Sequence, residues 1–120
     1  MESKPAARGD LARSSEVRQA QLRVDGELDL ANAHQLCHAA AELIAEGCRE
    51  LALDLHAATF IDAAGIGALV AIQTDLLAAD GRMTVDCPTG QPLRLLRLTK
   101  MDSALDVRTS DSPSALSAVG

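Results

Sequence analysis

The centre of the sequence reads Thr59-Phe60-Ile61-Asp62-Ala63-Ala64-Gly65-Ile66-Gly67, and different apolar patterns flank it. Upstream, residues 51–55 are short and largely apolar between polar neighbours, which predicts a buried strand. Downstream, a repeat at three- and four-residue intervals is typical of the inner face of an amphipathic helix. The members of this repeat are Ile66, Leu69, Val70, Gln73 and Leu77. The central segment therefore joins a strand to a helix.

Asp62 stands where that helix is expected to begin. Its carboxylate can accept hydrogen bonds from the first helical N–H groups, which have no partner inside the helix. Gly65 and Gly67 remove side-chain bulk from the first turns, so another molecule can approach the backbone closely. We expect an uncrowded helix start at the rim of a sheet, a place that suits a protein partner or a phosphate.

Composition limits the class of protein. The 120 residues suffice for one domain with a real core. A net charge of −6 argues against a nucleic-acid partner, because nucleic-acid binding needs clustered Lys and Arg. The N-terminus lacks the apolar run of a signal peptide, and no apolar stretch is long enough to span a bilayer. We expect a soluble, cytoplasmic protein without a membrane partner.

The remaining segments alternate between strand and helix patterns. Residues 1–16 are expected to form a mobile tail, in which Leu11 is the one candidate for a weak strand, and residues 17–120 to form the domain. Alternating or short apolar runs predict strands at residues 17–25, 83–86 and 105–107, besides 51–55. Such alternation predicts an α/β layer structure with parallel strand pairs.

Four helices are predicted. Asn32 can cap the first, with Gln35 completing a pair like a capping box, and Gly47 ends it. The second covers residues 63–79 and is followed by the turn Asp80-Gly81. The third covers residues 91–98, with Leu95, Leu96 and Leu98 expected to face inward, and the fourth covers residues 112–118 behind Ser112-Pro113.

Candidate chemistry outside the central segment is weak. His34, His38 and Glu42 recur at four-residue spacing, which metal ligands can share, but a solvated polar face explains the spacing better. Arg94, Arg97 and Lys100 form a basic strip, interpreted as a solvated face or as a contact for an acidic partner. Catalytic and cofactor-binding motifs are not recognised, since Gly65-Ile66-Gly67 is too short for a dinucleotide fingerprint. We predict a protein that is not an enzyme and has no cofactor or metal.

Three cysteines are present, at Cys37, Cys48 and Cys87. Their odd number and the lack of C-x-x-C spacing favour reduced thiols in the cytoplasm. One disulfide with one spare thiol remains an alternative.

Several segments together resemble one known family. Gly26-Glu27-Leu28-Asp29, Leu53-Asp54-Leu55 and the run from Phe60 to Leu69 resemble the STAS domain of anti-sigma factor antagonists. The turn Asp80-Gly81 and the run from Leu95 to Asp102 are similar to the same family, and the likeness covers about residues 19–119. The resemblance implies a small mixed, mostly parallel sheet flanked by about four helices. The family's first strand is not recognisable in this sequence.

The resemblance also implies a function. Family members bind a kinase-like anti-sigma factor, so that a sigma factor is released for transcription. The kinase partner reverses this by phosphorylating a serine directly after the aspartate of an Asp-Ser-Ser-Gly motif. The matching position here is Ala63, and Ala64 replaces the second serine. Alanine has no hydroxyl, so the usual negative charge cannot be added at this position.

The leading hypothesis is therefore a non-enzymatic anti-sigma factor antagonist that lacks the usual phosphorylation site. Its expected partner-binding residues are Asp29, Asn32, Asp62, Ala63, Ala64, Gly65 and Gly67. One alternative is a STAS subunit of a transport, lipid-trafficking or scaffold complex. Another is an antagonist controlled by oxidation of its cysteines, and Thr59 and Ser103 are weaker candidates for control.

Overall fold

The computed structural model describes residues 11–16 and 18–109. Seven strands and four helices follow one another in this part of the chain: β1 (Leu11–Glu16), β2 (Gln19–Val24), β3 (Gly26–Leu28), α1 (Ala33–Ala45), β4 (Glu50–Asp54), β5 (Ala58–Ile61), α2 (Ala63–Ala78), β6 (Arg82–Asp86), α3 (Gln91–Leu98), α4 (Met101–Ala104) and β7 (Asp106–Arg108).

Two sheets are formed. The larger has the order β1-β2-β4-β6-β7, in which only the β1–β2 pair is antiparallel. The smaller consists of β3 and β5, paired in parallel. Helices connect the parallel strands of the larger sheet, as the alternating sequence pattern predicts. The predicted α/β class with a mixed, mostly parallel sheet and four helices is confirmed.

One face of the larger sheet carries the core. Along β2, every second residue is buried, and the register places Leu22 beside Leu53 and Leu53 beside Val85. These side chains are fully buried together with the inner faces of α1, α2 and α3. The alternate residues lie on the opposite face and are more exposed, because successive strand residues point to opposite sides.

Several sequence predictions are corrected. The sequence predicts that the tail extends to residue 16, but residues 11–16 form β1, which pairs with β2. The inner face of α2 consists of Gly65, Ala68, Leu69, Ile72 and Leu76, whereas Val70 and Leu77 are exposed. On α3, Leu93 and Leu96 are buried and Leu98 is 73% exposed. The predicted helix over residues 112–118, like residues 1–10 of the predicted tail, lies outside the described residues.

Candidate functional site

The small sheet brings together the two segments that the sequence singled out. The register of β3 and β5 places Leu28 beside Ile61. One residue further, the Asp62 N–H donates to the Leu28 carbonyl oxygen at 3.3 Å. The loop that follows β3, residues 29–32, therefore lies beside the first turn of α2. We call these residues, together with Asp62–Gly67, the α2-start surface.

Asp62 caps α2 as predicted. Its backbone is extended, with φ −125° and ψ −170°, and its Oδ1 accepts a hydrogen bond from the Gly65 N–H at 3.0 Å. The Asp62 carbonyl accepts the first intrahelical bond, from the Ile66 N–H at 3.0 Å. One of the free N–H groups at the helix start is thus satisfied within the chain, and the position of the helix start is fixed.

The two glycines of this turn differ, contrary to the expectation that both leave the surface bare. Gly65 is buried, and a Cβ added there would lie 2.6 Å from the Leu28 carbonyl oxygen. Gly67 is exposed, and a Cβ there would have no neighbour within 4 Å. Gly65 therefore allows α2 to pack closely on β3. Of the two glycines, only Gly67 leaves its backbone accessible to another molecule.

Ala63 and Ala64 also separate by burial. Ala63, at the family's serine position, is exposed, whereas Ala64 is half-buried and packs against the core. The methyl group of Ala63 is therefore accessible to another protein.

Asn32 occupies the N-cap position of α1, but its side chain does not cap the helix. Its Oδ1 accepts from the Asp29 N–H at 2.9 Å, and its Nδ2 donates to the Glu27 carbonyl at 2.7 Å. Asp29 Oδ1 in turn accepts from the Ala31 N–H at 3.0 Å. The side chains of Asn32 and Asp29 therefore fix the conformation of the loop. Asn32 contributes to the surface by stabilising this loop.

Three residues near this surface were not singled out by sequence reasoning. Leu30 projects from the loop and is 77% exposed, and Phe60 on β5 is 40% exposed. The signal for Leu30 is an apolar residue inside a polar loop. Gln91, at the start of α3, bonds both backbone groups of Ile61, donating to its carbonyl and accepting from its N–H, each at 2.9 Å. It extends the pairing of β5 as a third strand would and fixes the segment that enters α2.

The candidates for a metal site on α1 do not form one. His38 Nδ1 lies 3.7 Å from Glu42 Oε2, and both side chains are exposed, so they form a surface pair within α1. Across residues 18–109, His, Cys, Asp and Glu form no group that could hold a metal. In the same part of the chain, none of the helices is long and apolar enough to cross a membrane.

The three cysteines are free thiols. Burial raises the pKa of Cys37, with a smaller contribution from Asp75, and burial also raises the pKa of Cys48. Burial raises the pKa of Cys87 to about 11. A raised pKa lowers the fraction of reactive thiolate at neutral pH, which disfavours control by oxidation.

The sequence model of the STAS domain family matches residues 11–113, which include every strand and helix described above. The chain belongs to the STAS domain family. No protein among those with curated descriptions matches it significantly.

Solved structures agree with this assignment. An anti-sigma factor antagonist from Mycobacterium paratuberculosis is 24% identical over 84% of this chain and 86% of its own, with a TM-score of 0.73. A candidate antagonist from Thermotoga maritima is 21% identical over 84% and 88%, with a TM-score of 0.75. The Bacillus cell fate determinant SpoIIAA in its phosphorylated form is 16% identical over 84% and 93%, with a TM-score of 0.66. At these identities the likeness establishes the STAS fold.

Proposed function

We propose that this STAS protein is an anti-sigma factor antagonist, a non-enzymatic regulator that binds a kinase-like anti-sigma factor and thereby frees a sigma factor for transcription. Its membership of the STAS family supports the proposal, as does its likeness to structures named as anti-sigma factor antagonists. The observation that carries it is the exposed first turn of α2, with Ala63 and Gly67 outward beside the loop of residues 29–32.

The α2-start surface has the features of a protein contact. Small residues at positions 63 and 67 allow a partner backbone to approach closely. Leu30 adds an exposed apolar side chain, which gains free energy when it is covered. One carboxylate oxygen of Asp29 accepts a hydrogen bond from the Ala31 N–H, and one of Asp62 accepts from the Gly65 N–H. These bonds hold the surface in one conformation before binding.

The proposed antagonist is not switched off at position 63. Phosphorylation of a serine there would place a charge of about −2 in the contact. Ala63 cannot accept the phosphate, so the complex with the anti-sigma factor persists in the presence of ATP. Binding is then governed by the amounts of the two proteins or by a signal that acts elsewhere.

A charge introduced at position 63 tests the surface. The substitution Ala63→Glu is expected to weaken binding to the kinase-like anti-sigma factor of the same cell by about tenfold or more, because a carboxylate would be desolvated without a partner. Isothermal titration calorimetry measures the affinity. The matched control is Ala41→Glu, which adds the same charge at an exposed alanine on α1 and should leave the affinity unchanged. Equal affinities for the wild type and Ala63→Glu would refute the proposed surface.

A second experiment tests the missing switch. With the same anti-sigma factor and Mg-ATP, the wild-type chain is expected to incorporate no phosphate, whereas Ala63→Ser is expected to accept it. Intact-mass spectrometry distinguishes the two. A phosphorylated wild-type chain would contradict the proposed mode of regulation, since another residue would then be the acceptor.

A further inference from the structure

The outward side of α3 combines exposed positive charge with an exposed leucine. Arg94 and Leu98 are four residues apart and therefore lie on the same side of the helix, and Arg97 lies next to them. Lys100 follows the helix directly. All four side chains are exposed, Leu98 to 73%. We call these four residues the α3 face.

Charge is distributed unevenly around this face. From Cys87 to Met101 the sequence contains three cations and no Asp or Glu, although the whole chain has a net charge of −6. A local excess of the opposite sign in an acidic protein attracts an acidic partner and guides its approach.

The three cations of the α3 face are not used within the described part of the chain. Two other arginines there are paired: Arg23 Nε lies 3.0 Å from Asp25 Oδ1, and Arg108 Nη2 lies 3.2 Å from Asp106 Oδ2. Among residues 18–109, Arg94, Arg97 and Lys100 take part in no comparable ion pair or hydrogen bond of their side chains. Within that part of the chain, their charges remain available to another molecule.

A groove of about 400 Å³ runs along this side of α3, lined by Thr89, Gly90, Leu93, Arg94, Arg97 and Leu98. Leucines and arginines thus share one concave surface, which can take an apolar side chain and carboxylates at the same time. A free phosphate would use the arginines alone and would leave Leu98 uncovered.

We propose that the α3 face docks an acidic segment of a partner protein that inserts a leucine-sized apolar side chain beside Leu98. The helix that carries this face begins close to the α2-start surface, because Gln91 of α3 is hydrogen-bonded to Ile61, directly before Asp62. One partner can therefore reach both surfaces. The inference goes beyond the proposed function, since it depends on the charge and shape of α3 and not on the partner's being an anti-sigma factor.

A peptide titration of the full chain tests this proposal. The probe is a short fluorescein-labelled peptide of glutamates that flank two leucines, and its affinity is measured by fluorescence anisotropy. Amide shifts of the ¹⁵N-labelled protein on peptide addition are expected at residues 89–101. The double variant Arg94→Glu, Arg97→Glu is expected to weaken binding by about tenfold or more, and Leu98→Ser by several-fold.

Matched controls separate specific docking from general attraction. Arg18→Glu reverses an exposed arginine outside the α3 face and should bind the peptide as the wild type does. Replacing the peptide's leucines by serine should weaken binding to the wild type but not to Leu98→Ser. Circular dichroism verifies that each variant is folded.

Four results would overturn the proposal: amide shifts centred elsewhere, equal losses for Arg18→Glu and the double variant, full affinity of the serine peptide, or no peptide binding at all. Preferential binding to phosphatidylglycerol vesicles would assign the face to a membrane surface instead. The assay contains no anti-sigma factor, so its outcome is independent of the Ala63→Glu experiment.

Discussion

Single residues at the start of α2 have separate tasks, and the two glycines show this most directly. Position 65 faces the Leu28 carbonyl oxygen at a distance too short for a Cβ, whereas position 67 faces open space. Gly65→Ala is therefore expected to destabilise the fold by roughly 1–3 kcal/mol, because backbone would have to move. Gly67→Ala is expected to stabilise it by roughly 0.5–1 kcal/mol, since alanine favours the helix. Urea denaturation of both variants checks the opposite signs, and a shared sign would contradict the packing described here.

Asp62 makes a smaller, local contribution to stability. Asp62→Ala removes the acceptor for the Gly65 N–H, and the expected loss is about 1 kcal/mol in the free energy of unfolding. Asp62→Asn keeps a side-chain oxygen and should lose less. Thermal unfolding of the two variants measures the difference, and an Asn variant that loses as much as the Ala variant would show that the charge, and not the hydrogen bond, matters.

At the scale of elements, β5 depends on α3 for its outer edge. Gln91 satisfies both backbone groups of Ile61, and a part-buried group left without its partner costs roughly 1–3 kcal/mol. Gln91→Ala is therefore expected to destabilise the protein by an amount in that range and to speed hydrogen exchange of the Ile61 amide. Gln35→Ala, on the exposed side of α1, is the control and should change neither quantity appreciably. Unchanged exchange at Ile61 in Gln91→Ala would contradict the role assigned to this side chain.

The features that the sequence predicts correctly are those determined by residues close together in the chain. The cap at Asp62, the glycine after α1 and the bounds of α3 at residues 91–98 all depend on neighbouring residues, and the structure confirms them. The strands β3 and β5 were not predicted, because three or four residues are too few for a periodicity to appear. Gly65 was misinterpreted for a related reason, since its neighbour Leu28 is distant in sequence and is brought close only by the β3–β5 pairing.

In the molecule as a whole, charged residues are concentrated where the parallel strands of the larger sheet end. Parallel register places Asp54 beside Asp86, and Asp86 beside Arg108. The Asp54 carboxylate has a partner in His56, because its Oδ1 accepts from the His56 backbone N–H at 2.9 Å and lies 2.7 Å from His56 Nδ1. Burial raises the pKa of Asp86, and Asp54 raises it further, against weaker opposing effects of His56 and Arg108. The ionised form of Asp86 is thus disfavoured, whereas the neighbouring Asp54 carboxylate has a hydrogen-bonded partner.

The sign of the Asp86 contribution follows from its raised pKa. Between the ordinary aspartate value and the folded value, the folded state binds more protons than the unfolded state, so stability falls as the pH rises through that interval. At neutral pH the full penalty is present, and Asp86→Asn is expected to raise the free energy of unfolding there. At about pH 3 the wild-type carboxyl is largely protonated in both states, so the advantage of the variant should nearly vanish.

Urea denaturation from pH 3 to pH 8 measures this dependence. Asp75→Asn serves as the matched control, because it removes an exposed carboxylate on α2 that does not contribute to the raised pKa of Asp86, and it should leave the stability nearly unchanged across this pH range. An Asp86→Asn variant that is less stable than the wild type at pH 7, or equally stabilised at every pH, would mean that Arg108 and His56 outweigh the burial of the Asp86 carboxylate. The stabilisation expected of Asp86→Asn follows from the sheet register, which places the half-buried Asp86 carboxyl group beside a second carboxyl group, that of Asp54.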